Sequence, residues 1–543
     1  MDLIKTSLIV AIAITLYYLL LQWPNEPIPV VSEEEEIYEL NTLDDSKDSL
    51  TKNKTNSISI EEPKVTGSIS RVDVGQIYEV GNRDLLLEVE AKSGQIIGSK
   101  LINFKKSMGA EESLEILGDV AGNAYLANSG FTTSQGYMEP DFNNKEIRNN
   151  PDGSIVFYFN GESDGFYHER KMTFQESGFS VVVEDKVISR LGSELTVAPY
   201  GVIERNGINE TEGGFLNPEN FAYLGPVFST QDDVYEKYSF SDINDSRFDK
   251  TSIGGWVALI QHYFLTAWVP DQNSSNDYMG MWGDDSGRFI IGYRGPTIVL
   301  GPGEAATTTN TLYVGPKYPA DLSEIEENLD LTVDYGFLFW LGKPMYWVLE
   351  QGNSIFKSWG MAIIFLTVVI KLITWPLSAK AYVSMGKMRA LQPKLAALQE
   401  KHGDNKQKMS QEMMEFYKKE GVNPLGGCLP MLLQMPFFLA FYWVLLETVE
   451  LRHSGFLWLE DLSAMDPYFI LPILNGLGMY LSQKMTPTPP NADPMQAQMM
   501  KFFPVVFAVI FAWFPAGLVL YWLMNMLIQI IQQWWYSRSA ATN

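Results

Sequence analysis

The chain carries a single cysteine, Cys428, among 543 residues. An intramolecular disulfide is excluded, so any domain facing an oxidising compartment must hold together by core burial alone. Histidine is almost as scarce. His168, His262, His402 and His453 stand far apart in sequence, and each reads as structural or exposed. No GxxxxGK[ST], HExxH, CxxC or GxSxG pattern occurs, so nucleotide-driven, zinc, dithiol and serine-hydrolase chemistries lack their signatures. Basic charge is in deficit too: 40 Lys and Arg stand against 65 Asp and Glu, a formal net charge of -25. That balance argues against nucleic acid as the main partner of the polar half.

What is present divides the chain into two materials. Residues 32 to 335 are polar and acidic, whereas 355 to 535 are rich in Leu, Ile, Phe, Met and Trp. Within residues 1–23, "SLIVAIAITLYYLLLQW" is one apolar run. It reads as an uncleaved signal-anchor helix, because Pro24, Asn25 and Glu26 follow instead of a small-x-small site; a cleaved signal peptide is the alternative. Residues 24–63 are charged and poor in aromatics, the composition of a disordered acidic linker. Over 64–335, short segments such as "DLLLEVEA", "SIVFYFNG", "FSVVVEDKVIS" and "RFIIGYRG" are separated by Gly, Asn, Asp and Pro. They predict a β-sandwich. Its acids are so many that any pair would pass for a catalytic dyad, and none is singled out. Residues 336–357 are aromatic and amphipathic, which suits either a helix in the membrane interface or a helix capping the sandwich.

Five further spans follow at 359–377, 427–447, 467–483, 499–514 and 516–533, within a core domain over 358–543. An unbroken helix from 499 to 533 would run about 52 Å, too long for an oil layer of about 30 Å. Pro515 in "FPAG" supplies the break. The 467–483 and 499–514 spans make only about 26 and 24 Å of helix, which favours a locally thinned bilayer. The 380–420 loop holds nine Lys and Arg, whereas 448–466 holds Arg452 alone against Glu450, Glu460, Asp461 and Asp466. The excess of Lys and Arg places the first loop and both termini in the cytoplasm, and the acidic domain outside. Within 380–420, helix formers flank "HGDN", and Met388, Leu391, Leu395 and Leu398 fall at helical spacing. A helical hairpin is expected, its basic charge suited to lipid headgroups, RNA or an acidic protein.

The exception to the apolar pattern is "IFLTVVIKLITWPLS", with Lys371 between Ile370 and Leu372. A lysine near the bilayer centre costs about 2.5–3.5 kcal/mol on insertion scales. Snorkelling to the cytoplasmic edge would relieve much of that. Lys371 is not alone, however. Thr367, Lys371, Thr374 and Ser378 fall on one helix face. Tyr521, Asn525, Gln529 and Gln532 repeat the spacing in the last span, and Asn475, Gln483 and Gln434 add amides from two others. Ordinary helix–helix adhesion explains the amides well and the lysine poorly. A water-containing cavity with Lys371 as its fixed charge explains both. The 427–447 and 499–514 spans are Met- and Phe-rich, suited to varied apolar partners or to plain lipid-facing core.

At these residues the chain resembles the YidC/Oxa/Alb family of membrane-protein insertases, in its Gram-negative YidC form. The likeness rests on the stretch from Met388 to Leu445, on "DLSAMDPYFILPIL", "QKMTPTPPNADPMQ" and "WFPAGLVLYW", and, in the strand-rich half, on "GGWVALIQHYFLTAWVP". The resemblance implies a polytopic α-helical membrane protein of six spans, five of them an insertase core, with a large periplasmic β-supersandwich similar to sugar-binding and mutarotase folds. It implies a groove open to the cytoplasm and lipid, with Lys371 where the family usually has arginine. Lysine keeps the charge but loses the planar fork. Thr367, Thr374, Gln434, Asn475, Gln483, Tyr521, Trp522 and Asn525 would line this groove beside Lys371. Met435, Phe437, Phe438, Phe507 and Phe511 would form an apolar slide for the substrate's span. The implied activity is insertion and folding of proteins in the Gram-negative inner membrane, without catalysis, metal or cofactor. The implied partners are nascent membrane proteins, ribosomes, the signal recognition particle receptor, the Sec translocon and membrane lipids. The alternative class is a small-solute transporter or channel with a sugar-binding periplasmic domain; no internal repeat supports it.

Overall fold

The computed structural model describes residues 77–120, 123–206, 223–282, 288–402, 406–421, 429–485 and 494–542. The expected signal anchor over 1–23 and linker over 24–63 lie outside the described residues.

From Ile77 to Pro316 the described chain is almost entirely strand, arranged as a twelve-stranded and a nine-stranded sheet. Strands Phe166–Phe174 and Ser180–Ser189 pair antiparallel, with Phe166 opposite Ser189 and Phe174 opposite Val181. Both alternate buried and half-buried residues, because successive side chains of a strand point to opposite faces and one face meets the core. Strands Trp256–Ile260 and Phe264–Val269 are buried at every position. Both of their faces are covered, which is why "FLTAWV" shows no alternation. Arg170 holds its cross-strand neighbour Asp185 in a buried bidentate pair, Nε to Oδ1 at 2.6 Å and Nη2 to Oδ2 at 3.0 Å. It also donates to the carbonyls of Gly94 and Ser129. This buried cation is fully engaged by protein acceptors.

Seven longer helices follow. They are α1 (Phe339–Phe356), α2 (Trp359–His402), α3 (Lys406–Lys419), α4 (Leu429–Glu447), α5 (Ile470–Met485), α6 (Pro494–Phe511) and α7 (Ala516–Thr542). Helix α2 has 44 residues, about 66 Å of helix, and does not stop at Leu377. The first arm of the expected hairpin is thus a continuation of the span itself. Pro376 and Pro393 lie inside it and each removes one backbone hydrogen bond. The Ala, Met, Leu and Lys residues around them are good helix formers. Leu391 and Leu395 bury against Tyr417 of α3, which anchors the extension.

Between α6 and α7, Ala512 to Phe514 form a turn that precedes Pro515. Ala516 N–H then donates to Ala464 carbonyl at 2.7 Å, and Gly517 N–H to Leu462 carbonyl at 2.8 Å. The break is therefore docked on the segment that leads into α5, and the first amides of α7 find acceptors there.

The sandwich and the helices share one continuous apolar core that includes Trp256, Leu338, Met345, Ala440, Phe441 and Val444. Polar contacts pin the same seam. Lys317 forms an ion pair with Glu447, His262 Nε2 lies 2.8 Å from the Leu446 carbonyl, and Arg452 donates to the Lys106 carbonyl at 3.0 Å. Gly336 adopts φ +64° with its α-carbon against the Trp443 ring, a backbone conformation and a closeness that both favour glycine.

Candidate functional site

Helix α2 separates its residues sharply. Thr367, Lys371, Thr374 and Ser378 are buried, with Lys371 only 2% exposed. On the opposite side Leu372 is 61% exposed and Ile373 69%. The lysine stem and its ammonium therefore point into the bundle. A snorkelling lysine would show its amine at a surface, and this one does not. Among the described residues Lys371 Nζ has no hydrogen-bond partner. The two threonines beside it donate within their own helix, Thr367 to the Ile363 carbonyl at 2.7 Å and Thr374 to the Ile370 carbonyl at 2.9 Å. Their oxygens keep acceptor capacity, so they add polarity to the face without using the lysine's protons.

Helix α7 is the shared wall, packing against α2, α4 and α5. Tyr521, Asn525 and Gln532 are buried on it. Asn525 Nδ2 donates to the Tyr521 carbonyl at 2.9 Å, and Asn475 Nδ2 of α5 donates to the Val519 carbonyl at 3.0 Å. Among the described residues the side-chain oxygens of both asparagines, and both polar atoms of Gln532, have no hydrogen-bond partner. Buried polar atoms rarely stay unpaired in a folded chain. These atoms and the Lys371 ammonium lie on helices that pack on one another, and together they make the bundle interior unusually polar. Gln434 of α4 and Gln483 of α5 are half-buried.

The apolar residues assemble around Trp522. Its ring centroid lies 5.0 Å from Phe438, 5.5 Å from Phe511 and 6.2 Å from Phe507. Phe507 and Phe511 also contact each other at 5.4 Å. Trp522 thus joins α4, α6 and α7 in one aromatic cluster, and its indole belongs as much to the slide residues as to the polar face. Phe511 is buried within that cluster, Phe437 and Phe438 are half-buried, and Met435 is exposed. Outward from it, Phe502, Val505, Val506 and Val509 of α6 and Ile473, Leu477 and Leu481 of α5 are exposed.

Two features escaped the sequence reading. Trp375 donates to Tyr536 hydroxyl at 3.1 Å, and Tyr382 stacks on Tyr536 at 6.1 Å, closing α2 against the far end of α7. The Lys317–Glu447 pair is the other. No local spacing marks either one, since the partners lie more than a hundred residues apart.

Apolar helix faces turned outward around a polar, cationic interior, with a β-sandwich seated on one end, define an integral membrane protein with a large extramembranous domain. Among the described residues, α2 over Trp359–Leu395 and α7 over Ala516–Tyr536 are long and apolar enough to cross a bilayer, and Leu432–Glu447 and Lys501–Phe511 are shorter apolar helices. Residues 351–543 match the 60Kd inner membrane protein family, and residues 78–348 match the YidC periplasmic domain family. The chain is 38% identical to the membrane protein insertase YidC of Haemophilus influenzae strain PittEE, over 98% of this chain and 97% of that protein. It is 39% identical to the insertase of the same name from Shewanella woodyi, over 97% of each. A solved YidC insertase with its first transmembrane domain resolved is 17% identical, with TM-score 0.39, covering 84% of this chain and 94% of that one. The chain belongs to the YidC family of membrane protein insertases.

Proposed function

We propose that this protein inserts membrane proteins through a groove open to the cytoplasm and to lipid, electrostatically centred on Lys371. As a member of its family it is an inner-membrane protein whose β-sandwich is the periplasmic domain. A substrate's hydrophilic outer segment, often acidic, enters from the cytoplasm. The ammonium of Lys371 attracts it, while Thr367, Thr374, Gln434, Asn475, Gln483, Tyr521, Asn525 and water take over its hydration. The substrate's apolar span passes along Met435, Phe437, Phe438, Phe507, Phe511 and Trp522 into lipid. Burial at about 0.8 kcal/mol per CH₂ drives that step. A membrane potential positive outside adds about 2.3 kcal/mol per negative charge per 100 mV. Six spans, cytoplasmic termini, α1 lying in the periplasmic interface, and assistance from ribosomes, the signal recognition particle receptor and the Sec translocon complete this reading.

The observation that carries it is the buried ammonium of Lys371, which has no hydrogen-bond partner among the described residues. A structural lysine would be paired, because an unpaired buried charge is expensive. The test is insertion of short substrates with acidic or neutral outer segments by the purified protein in vesicles. Lys371→Arg retains insertion of both. Lys371→Ala slows the acidic substrates about tenfold and the neutral ones less. Normal insertion of every acidic substrate by Lys371→Ala would refute the electrostatic role.

A further inference from the structure

A cleft of about 350 Å³ lies at the seam between the periplasmic domain and the helices, lined among others by Asp321, Tyr335, Lys343, Tyr346, Glu350 and Glu450. It is remote in sequence from the Lys371 groove. Its volume falls at the small end of ligand pockets.

The charges in the cleft do not balance. Lys343 Nζ is 3.1 Å from Asp330 Oδ2, so the only lysine on the wall already has a carboxylate. Asp321, Glu350 and Glu450 enter no ion pair among the described residues; the Glu450 carboxyl accepts from the Tyr346 hydroxyl at 2.7 Å. Burial pushes the Glu450 carboxyl above the usual range, with Glu350 and Asp321 adding to the rise against the Tyr346 hydrogen bond. Tyr335 supplies an independent sign of a missing guest. It is only 3% exposed, it lines the cleft, and its hydroxyl has no hydrogen-bond partner among the described residues. A buried hydroxyl of that kind calls for a polar ligand.

The ligand chemistry follows from the walls. Three carboxylates outside ion pairs and three tyrosines, Tyr318, Tyr335 and Tyr346, suit a cation with N–H donors, and tyrosine rings suit a cation's face. A metal ion fits less well, because no group of three His, Cys, Asp or Glu among the described residues has metal-binding geometry. Lys343 spends one of its three N–H donors on Asp330 and, being half-exposed, keeps others for an anion carried next to that cation. Around the cleft, Phe337, Phe339, Trp340, Trp347 and Ile355 are exposed on and just before α1, the aromatic signature of a bilayer interface.

We propose that this cleft binds the phosphoethanolamine headgroup of an outer-leaflet phospholipid, its ammonium among Asp321, Glu350, Glu450 and the Tyr335 hydroxyl, and its phosphate toward Lys343. The site would anchor the seam to the membrane surface. The inference rests on the interfacial placement of α1 given above.

The test uses the full chain, purified and exchanged into mixtures of phosphatidylethanolamine with either phosphatidylglycerol or phosphatidylcholine. Retained lipids are counted by native mass spectrometry. The wild type retains phosphatidylethanolamine over either competitor by about tenfold, as charge-assisted hydrogen bonds from a primary ammonium require. Glu350→Lys, at an exposed position that leaves the core untouched, abolishes the preference, and so does Asp321→Asn combined with Glu450→Gln. Equal retention of the three lipids by the wild type, or an unchanged preference in Glu350→Lys, overturns the site. A fluorophore at Ile355→Cys, in a Cys428→Ser background, reports the interface separately through quenching by brominated lipid. No quenching overturns both the placement of α1 and the headgroup site. Quenching without lipid preference overturns the headgroup site alone.

Discussion

Lys317, one residue past the last strand of the periplasmic domain, forms an ion pair with Glu447, the last residue of α4, and their side chains are 1% and 2% exposed. The pair joins the sheet to the end of a helix at the seam between the two parts of the chain. Removing one partner strands the other charge in the interior, at a cost of about 3–5 kcal/mol. Lys317→Met and Glu447→Leu each lower the unfolding midpoint strongly. The two combined recover most of the loss. Additive losses in that double-mutant cycle would contradict a coupled pair.

Lys371 should behave oppositely. Its amine is buried and has no hydrogen-bond partner among the described residues, so Lys371→Met relieves an energetic burden and raises stability in detergent by about 1 kcal/mol or more. Insertion of acidic substrates falls in the same variant. A functional residue is the one whose loss stabilises the fold while impairing the activity. A drop in thermal midpoint would mark Lys371 as structural instead.

His262 gives the seam a pH dependence. Burial first, then the nearby Lys317 cation, depress its pKa to about 3, while its contact with the Leu446 carbonyl partly opposes them. The unfolded chain therefore takes up a proton that the folded one refuses between about pH 3 and 6.5. Stability is unaffected by this group above that window and declines as pH falls into it, by about 1–2 kcal/mol at pH 5. The raised carboxyl of Glu450 acts in the other direction on acidification. Comparing melting curves of wild type and His262→Gln at pH 7.5 and 5 isolates the histidine, and the variant's curve should be the flatter one.

Trp522 is the hub of three helices. Trp522→Ala opens a cavity among Phe438, Phe507 and Phe511 and costs about 3–5 kcal/mol. Trp522→Phe keeps one aromatic ring in the cluster but loses the rest of the indole together with its N–H, which has no protein acceptor among the described residues. It should lose clearly less stability than Trp522→Ala. Stability of Trp522→Phe as low as that of Trp522→Ala would contradict the ring cluster as the source of the cost.

The polar stripe of α2 was legible because helical periodicity alone places Thr367, Lys371, Thr374 and Ser378 on one face. The break at Pro515 was legible for an equally local reason, since the stretch from 499 to 533 is apolar throughout and, unbroken, would carry oily residues beyond the bilayer. The length of α2 was not. Pro376 argues for an end, and only packing of Leu391 and Leu395 on α3 shows why the helix continues. Trp522 carries no mark in the sequence of whether it faces a groove or a ring cluster. Phe438 and Phe507, more than eighty and about fifteen residues away, decide that.

Composition and periodicity by themselves determined that a β-rich acidic domain precedes a membrane-embedded helical region with one anomalous cation, because burial in oil or in a sandwich leaves a local imprint on residue choice. Tertiary structure alone decided which charge is paired and which is not. Lys317 meets Glu447 across 130 positions, while Lys371 meets no carboxylate among the described residues. Whether a charge is neutralised depends on distances of a few ångströms between segments that the chain order keeps far apart.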